Sequence, residues 1–158
     1  MFVKSLAEKY ASREIKLIPM HYFYIGGDDR LFLNSILLEL EKDNITVQNK
    51  NLTLEETMKT YKTAYFNVGM RFHAVVLQTL LSGKNFILDY TEPKRGKISA
   101  FINDIDNKNF YADRYVSLQD GQISIDIVNN VNNRFLYDMN LLKNKLRIYI
   151  ETLQEHVK

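Results

Sequence analysis

The stretch Ala64-Tyr65-Phe66-Asn67-Val68-Gly69-Met70-Arg71-Phe72-His73-Ala74-Val75-Val76-Leu77-Gln78-Thr79-Leu80-Leu81 decides how the chain is read. Residues 64–68 have strand character, and residues 74–81 continue with the apolar content of a buried helix. Between them lies the chain's only Arg-x-His pair, Arg71 and His73, at a strand-to-helix junction. Helix starts carry partial positive charge on their free N–H groups, so neutral caps and acidic side chains are the usual occupants. A cationic pair is favoured there when a phosphate or carboxylate rests against the helix end. The alternative is an arginine that simply turns to water.

On a regular helix, residues two apart lie about 200° round the axis, which separates Arg71 from His73. Extended backbone at Arg71 instead puts both on one side and turns Phe72 toward the core. The helix is therefore expected to begin near His73. Arg71 can then grip an oxyanion with its fork while His73 supplies a hydrogen bond or a proton.

Strand and helix alternate on both sides of this junction. Upstream, residues 2–11 carry Phe2, Leu6 and Tyr10 at helical spacing, and residues 15–20 read as a strand with Pro19 near its end. The turn containing His21, Gly26, Gly27, Asp28 and Asp29 opens a helix reaching about Lys42, with one aspartate as cap and the other favouring the dipole. Residues 45–48 are a second strand, and Thr53 with Glu56 has capping-box form.

Downstream, Gly83 stops the central helix, and residues 85–89 form a fourth strand. That strand delivers the positively charged loop Tyr90-Thr91-Glu92-Pro93-Lys94-Arg95-Gly96-Lys97. Loops at the carboxyl ends of parallel strands are where open sheets bind ligands. Residues 98–105 read as a helix. Residues 115–118 and 122–127 are candidate strand edges, the second alternatively a helix start, and the asparagine-rich residues 129–133 are a break. Phe135, Met139, Leu142, Leu146, Tyr149 and Leu153 predict one long, one-sided helix. The alternation predicts a single α/β domain over residues 1–158, with a Rossmann-like parallel sheet and helices on both faces.

The length of 158 residues suits one domain with its own core. With no cysteine, disulfides and thiolate metal sites are excluded, and histidines at 21, 73 and 156 are too scattered for a zinc motif. Lys and Arg number 21 against 19 acidic residues, which lacks the basic excess of a nucleic-acid binder. No apolar run approaches the roughly 20 residues of a membrane span, and there is no signal-peptide pattern, so a cytoplasmic location is expected. G-x-G-x-x-G and Walker A patterns are absent. Anion chemistry then rests on side chains.

Gly69-Met70-Arg71-Phe72-His73-Ala74, followed by Phe86-Ile87-Leu88-Asp89-Tyr90 leading to Lys94, resembles the C-terminal half of the polysaccharide pyruvyl transferase family. Upstream Pro19-Met20-His21 and Gly27-Asp28-Asp29-Arg30 fit the same pattern, so the resemblance spans residues 15–105. It implies a domain like the C-terminal one of a GT-B-type transferase, lacking the N-terminal domain that family members carry. The donor substrate it implies is phosphoenolpyruvate, with no cofactor and no metal site, and the acceptor is a sugar of a cell-surface polysaccharide. Arg71 and His73 would be catalytic, and His21, Gly27, Asp28, Gly69, Met70, Tyr90 and Lys94 would bind substrate. The loop from Tyr90 to Lys94 is one residue longer than the family spacing. Two other readings stand beside this one: a nucleotide-sugar domain of a GT-B glycosyltransferase, and a non-catalytic interaction remnant. A missing N-terminal domain or a second copy of the chain would be the protein partner.

Overall fold

In the computed structural model, which describes residues 2–23, 25, 27–91, 95–121 and 123–156, the folding pattern is centred on Asn85–Asp89, here β4. All five of its residues are buried, as expected of a parallel strand covered on both faces. It pairs in parallel with β3 (Asn67–Gly69) on one side and β5 (Tyr115–Ser117) on the other. Side chains alternate across the strand. Ile87 joins Val75, Ile98, Ile102, Ile105, Tyr111 and Phe135 on one face, beneath α4 (Phe72–Leu81) and α5 (Lys97–Ile105). Phe86 and Leu88 pack on the opposite face with Leu6 of α1 (Phe2–Lys9) and with Ile127 and Val128 of the 3-10 helix Ile125–Val128.

A second, two-stranded parallel sheet is made by β1 (Ile15–Leu17) and β2 (Ile45–Val47), with Ile15 opposite Ile45. The helices α2 (Asp29–Leu40) and α3 (Leu54–Thr63) connect β1 to β2 and β2 to β3. The fold class is thus α/β with parallel strands, as expected. The expected single sheet, however, is divided into β1-β2 and β3-β4-β5.

Three expected elements move, each for a local reason. The strand placed at residues 64–68 begins at Asn67, because α3 runs to Thr63 and the Asn67 side chain donates to the Tyr61 carbonyl at 3.1 Å, closing the helix end. Residues 123–127 contribute no strand; the Ser124 hydroxyl accepts from the Asp126 amide and starts a 3-10 turn, while Gln122 lies outside the described residues. The last helix, α6 (Met139–His156), excludes Phe135. The Phe135 amide donates to the Gly83 carbonyl at 2.9 Å and its ring packs on Phe110 and Tyr111, fixing it in the core. Asp138 then accepts from the Asn140 and Leu141 amides and begins the helix afresh. The side chains of Leu142, Tyr149 and Leu153 lie outside the described residues.

Two glycines answer to specific constraints. Gly83 has φ 65° just after α4, the left-handed position that the sequence predicts for it. At Gly69 an added Cβ would stand 2.6 Å from Gln78 Oε1 and 2.8 Å from Val75 Cγ2, so its bare backbone lets α4 close onto β3.

Candidate functional site

The carboxyl ends of β1, β3 and β4 converge on one edge, where the turns that follow them carry the functional side chains. After β1, the turn ends at Asp28, which caps α2 by accepting from the Arg30 amide at 2.9 Å and also holds the Arg30 guanidinium at 2.6 Å. Hydrogen bonding to Arg30, more than anything else, keeps the Asp28 carboxyl below its ordinary pKa. Gly27 takes φ 94°, and its carbonyl accepts from His21 Nδ1, which ties the histidine ring back onto the turn. Asp28 is thus the residue that caps α2.

Asp29 does more than favour the helix dipole. Its Oδ2 accepts from the Met20 and His21 amides, both at 3.1 Å, and its Oδ1 accepts from Arg71 Nη2 at 2.5 Å. Burial pushes the Asp29 carboxyl up, but Arg71 and the two amides outweigh it and hold the group below the usual range. The ion pair bridges the end of β1 to the end of β3.

Arg71 is the N-cap of α4, with φ −89° and ψ 139°, so the junction is extended at Arg71 as the sequence argument requires. The helix begins at Phe72, one residue earlier than expected. Phe72 packs against the core and edges Phe101 at 6.2 Å, whereas Arg71 and His73 are exposed on either side of it. The α4 cap makes no side-chain hydrogen bond, and the first turn contains no acidic residue. Its free amides therefore remain a positive pole. The guanidinium also lies 5.8 Å from the Tyr90 ring, at the end of β4.

Gly69 and Met70 lead from β3 into this edge, and Met70, Arg71, Tyr90 and Asp29 all line a cavity of about 630 Å³. His73 sits edgewise on the Phe72 ring, at 5.6 Å. Lys94 lies outside the described residues. Sequence reasoning misses the Asp89 cluster: this buried carboxylate accepts from the Thr91 amide at 2.8 Å, the Thr91 hydroxyl at 2.6 Å and the Tyr115 hydroxyl at 2.6 Å. It fixes the start of the loop after β4. Only the Asp-x-Thr spacing hints at that turn.

Among the described residues, no cluster of three or more His, Asp or Glu is placed to hold a metal ion, and no helix is long and apolar enough to cross a membrane. Comparisons with protein-family models, curated proteins and solved structures found no match.

Proposed function

We propose that this edge binds phosphoenolpyruvate, and that the chain is a Rossmann-like, GT-B-type domain of a polysaccharide pyruvyl transferase. The observation that carries the reading is the uncapped, acid-free start of α4 bearing Arg71 and His73 beside the ends of β1 and β4. An anion set against that pole meets free helix amides and a guanidinium whose orientation Asp29 fixes with one nitrogen. Arginine carries five N–H donors, so the pair with Asp29 leaves others for a ligand.

The chemistry needs this combination. A proton delivered to the methylene carbon of phosphoenolpyruvate turns it into a methyl group and leaves an electrophilic centre at the neighbouring carbon. Two sugar hydroxyls add there, the C–O bond to phosphate breaks, and hydrogen phosphate departs; of the two hydroxyl protons, one balances the methyl and the other leaves with phosphate. His73 is the acid in this scheme and Arg71, with the helix pole, stabilises the departing phosphate. The resemblance of residues 69–74 and 86–90 to the family supports the same assignment.

Calorimetric titration of phosphoenolpyruvate into the wild-type chain and the Arg71→Ala variant tests the reading. Binding by the wild type that weakens about tenfold or more in the variant is expected for the loss of a charge-assisted hydrogen bond. Equal binding, or none in either, overturns it. A larger thermal stabilisation by uridine or guanosine diphosphate than by phosphoenolpyruvate would replace it with the nucleotide-sugar reading.

A further inference from the structure

The cavity behind the Asp29–Arg71 pair occupies the division between the two sheets. Parallel sheets in α/β proteins are ordinarily continuous and covered on both faces, yet here β1 and β3 share no ladder. Among the described residues, each is paired on its far side only. The Ile15 amide donates to Asn44 and the Leu17 carbonyl accepts from Gln48, so these residues turn their polar groups to β2 and Lys16 turns its own away. The Asn67 amide donates to Lys84, so Asn67 and Gly69 face β4 and Val68 faces away. Lys16 and Val68 therefore present backbone N–H and C=O groups from opposite sides of the same gap.

The gap has the surroundings of a central strand. Phe2, Leu6 and Tyr10 of the α1 segment line it on one face, and Leu33, Ile36 and Tyr61 of α2 and α3 line it elsewhere. Gln78 also lines it, and its buried Oε1 has no hydrogen-bond partner among the described residues. The two bordering strands run in the same direction. Just before them, the Arg13 guanidinium stacks on the Tyr65 ring at 3.9 Å, and just after them Asp29 meets Arg71. These two contacts, made by side chains that reach solvent, stand at the two ends of the gap.

The geometry points to a strand-acceptor slot: β1 and β3 receive between them an extended, apolar segment of another polypeptide, parallel to both, which joins the two sheets into one of six strands. A ligand without a backbone would satisfy the apolar walls but leave the Lys16 and Val68 groups unpaired. An extended peptide satisfies both, by main-chain ladders on its two sides and alternating side chains toward the helices. This inference stands apart from the phosphoenolpyruvate reading, with which the cavity lining shares Arg71.

The test is amide hydrogen exchange, followed by NMR on the full chain, with and without an acetylated and amidated peptide of alternating valine and isoleucine flanked by lysines. Exchange at Lys16 and Val68 should slow by about tenfold or more on adding the peptide, while Leu17 and Asn67, already in ladders, change little. Lys16→Pro and Val68→Pro delete slot-facing donors and leave both existing ladders intact, a position where proline is tolerated. Together they should weaken peptide binding by about tenfold with an unchanged circular dichroism spectrum. If either variant fails to fold, the wild-type exchange pattern decides alone. Peptide binding that leaves Lys16 and Val68 unprotected makes the cavity an apolar ligand pocket and overturns the proposal. So does protection without peptide: if concentration-dependent, a second copy fills the slot, and if not, β1 and β3 pair directly in solution. Absence of peptide binding overturns it as well.

Discussion

Arg71 Nη2 lies 2.5 Å from Asp29 Oδ1, and this contact between residues 42 apart in sequence ties the end of β3 to the end of β1 across a gap that carries no strand ladder. It is partly solvated, with the arginine side chain 44% and the aspartate 22% exposed, so screening limits its strength.

Because Asp29 serves three donors, its substitutions should separate. Asp29→Asn keeps an acceptor for the Met20 and His21 amides and is expected to cost below about 1 kcal/mol, the usual worth of a solvated pair. Asp29→Ala strands both amides and should cost about 1–3 kcal/mol. The carboxyl is held below its unfolded value, so its contribution is present above that value and is lost as pH falls through the folded one. The difference between wild type and Asp29→Asn in urea unfolding should therefore be full at pH 6 and shrink as pH falls below about 4.

Gly69 sets how closely α4 approaches β3. Gly69→Ala forces a methyl against Gln78 Oε1 and Val75 Cγ2, at 2.6 and 2.8 Å, so helix and strand must part. A loss of about 1–3 kcal/mol in chemical denaturation is expected. Because Arg71 and His73 ride on the same helix, anion affinity measured by titration should fall with it.

The Thr79, Asn85 and Tyr111 side chains close a buried ring of hydrogen bonds, with the tyrosine hydroxyl donating to Asn85 Oδ1 at 2.8 Å and Asn85 Nδ2 donating to Thr79 Oγ1 at 3.0 Å. Tyr111→Phe leaves Asn85 Oδ1 without this donor and should destabilise by about 1–3 kcal/mol. Burial pushes the Tyr111 hydroxyl up to about 12, and that of Tyr61 likewise. A raised value contributes stability that is complete below the unfolded pKa of about 10 and lost as pH rises through the folded one. Stability should decline between about pH 10 and 12, less steeply in Tyr111→Phe, as followed by urea unfolding at each pH.

Arg114 is almost wholly buried between the Phe86 and Phe110 rings, 4.7 and 4.5 Å from its guanidinium carbon, and its Nη1 has no hydrogen-bond partner among the described residues. Burial lowers its pKa, a sign that the charge is poorly solvated there. Arg114→Met keeps the packing and removes the charge, so it should be neutral or stabilising by about 1 kcal/mol. Arg114→Ala opens a cavity and should cost about 3 kcal/mol. Denaturation midpoints of the two variants distinguish charge from volume.

Local signals were legible in the residues themselves. Thr53 and Glu56 do form a capping box, Asp28 caps its helix, Gly83 turns left-handed, and residues 85–89 are the buried strand. Each depends on a few neighbouring residues whose backbone preferences need no distant partner. The extended junction at Arg71 was legible for the same reason, although the helix starts at Phe72. Phe135 has real helical spacing to Met139 yet lies outside that helix, because a carbonyl and two rings far along the chain hold it elsewhere. Periodicity reports which side chains can share a face, and only packing decides whether they do.

By itself, the sequence determined alternating strands and helices, a parallel α/β class, and a cationic pair at the start of α4, all consequences of short-range preference and patterning. Tertiary structure decided that Asp29 holds Arg71, that Asp89 anchors the loop after β4, and that the sheet divides between β1 and β3. Those outcomes join residues far apart in the chain, and no local spacing encodes which backbone edges find partners. The Lys16 and Val68 edges are set by that long-range pairing: β2 and β4 take one side of each strand and leave the other facing the slot.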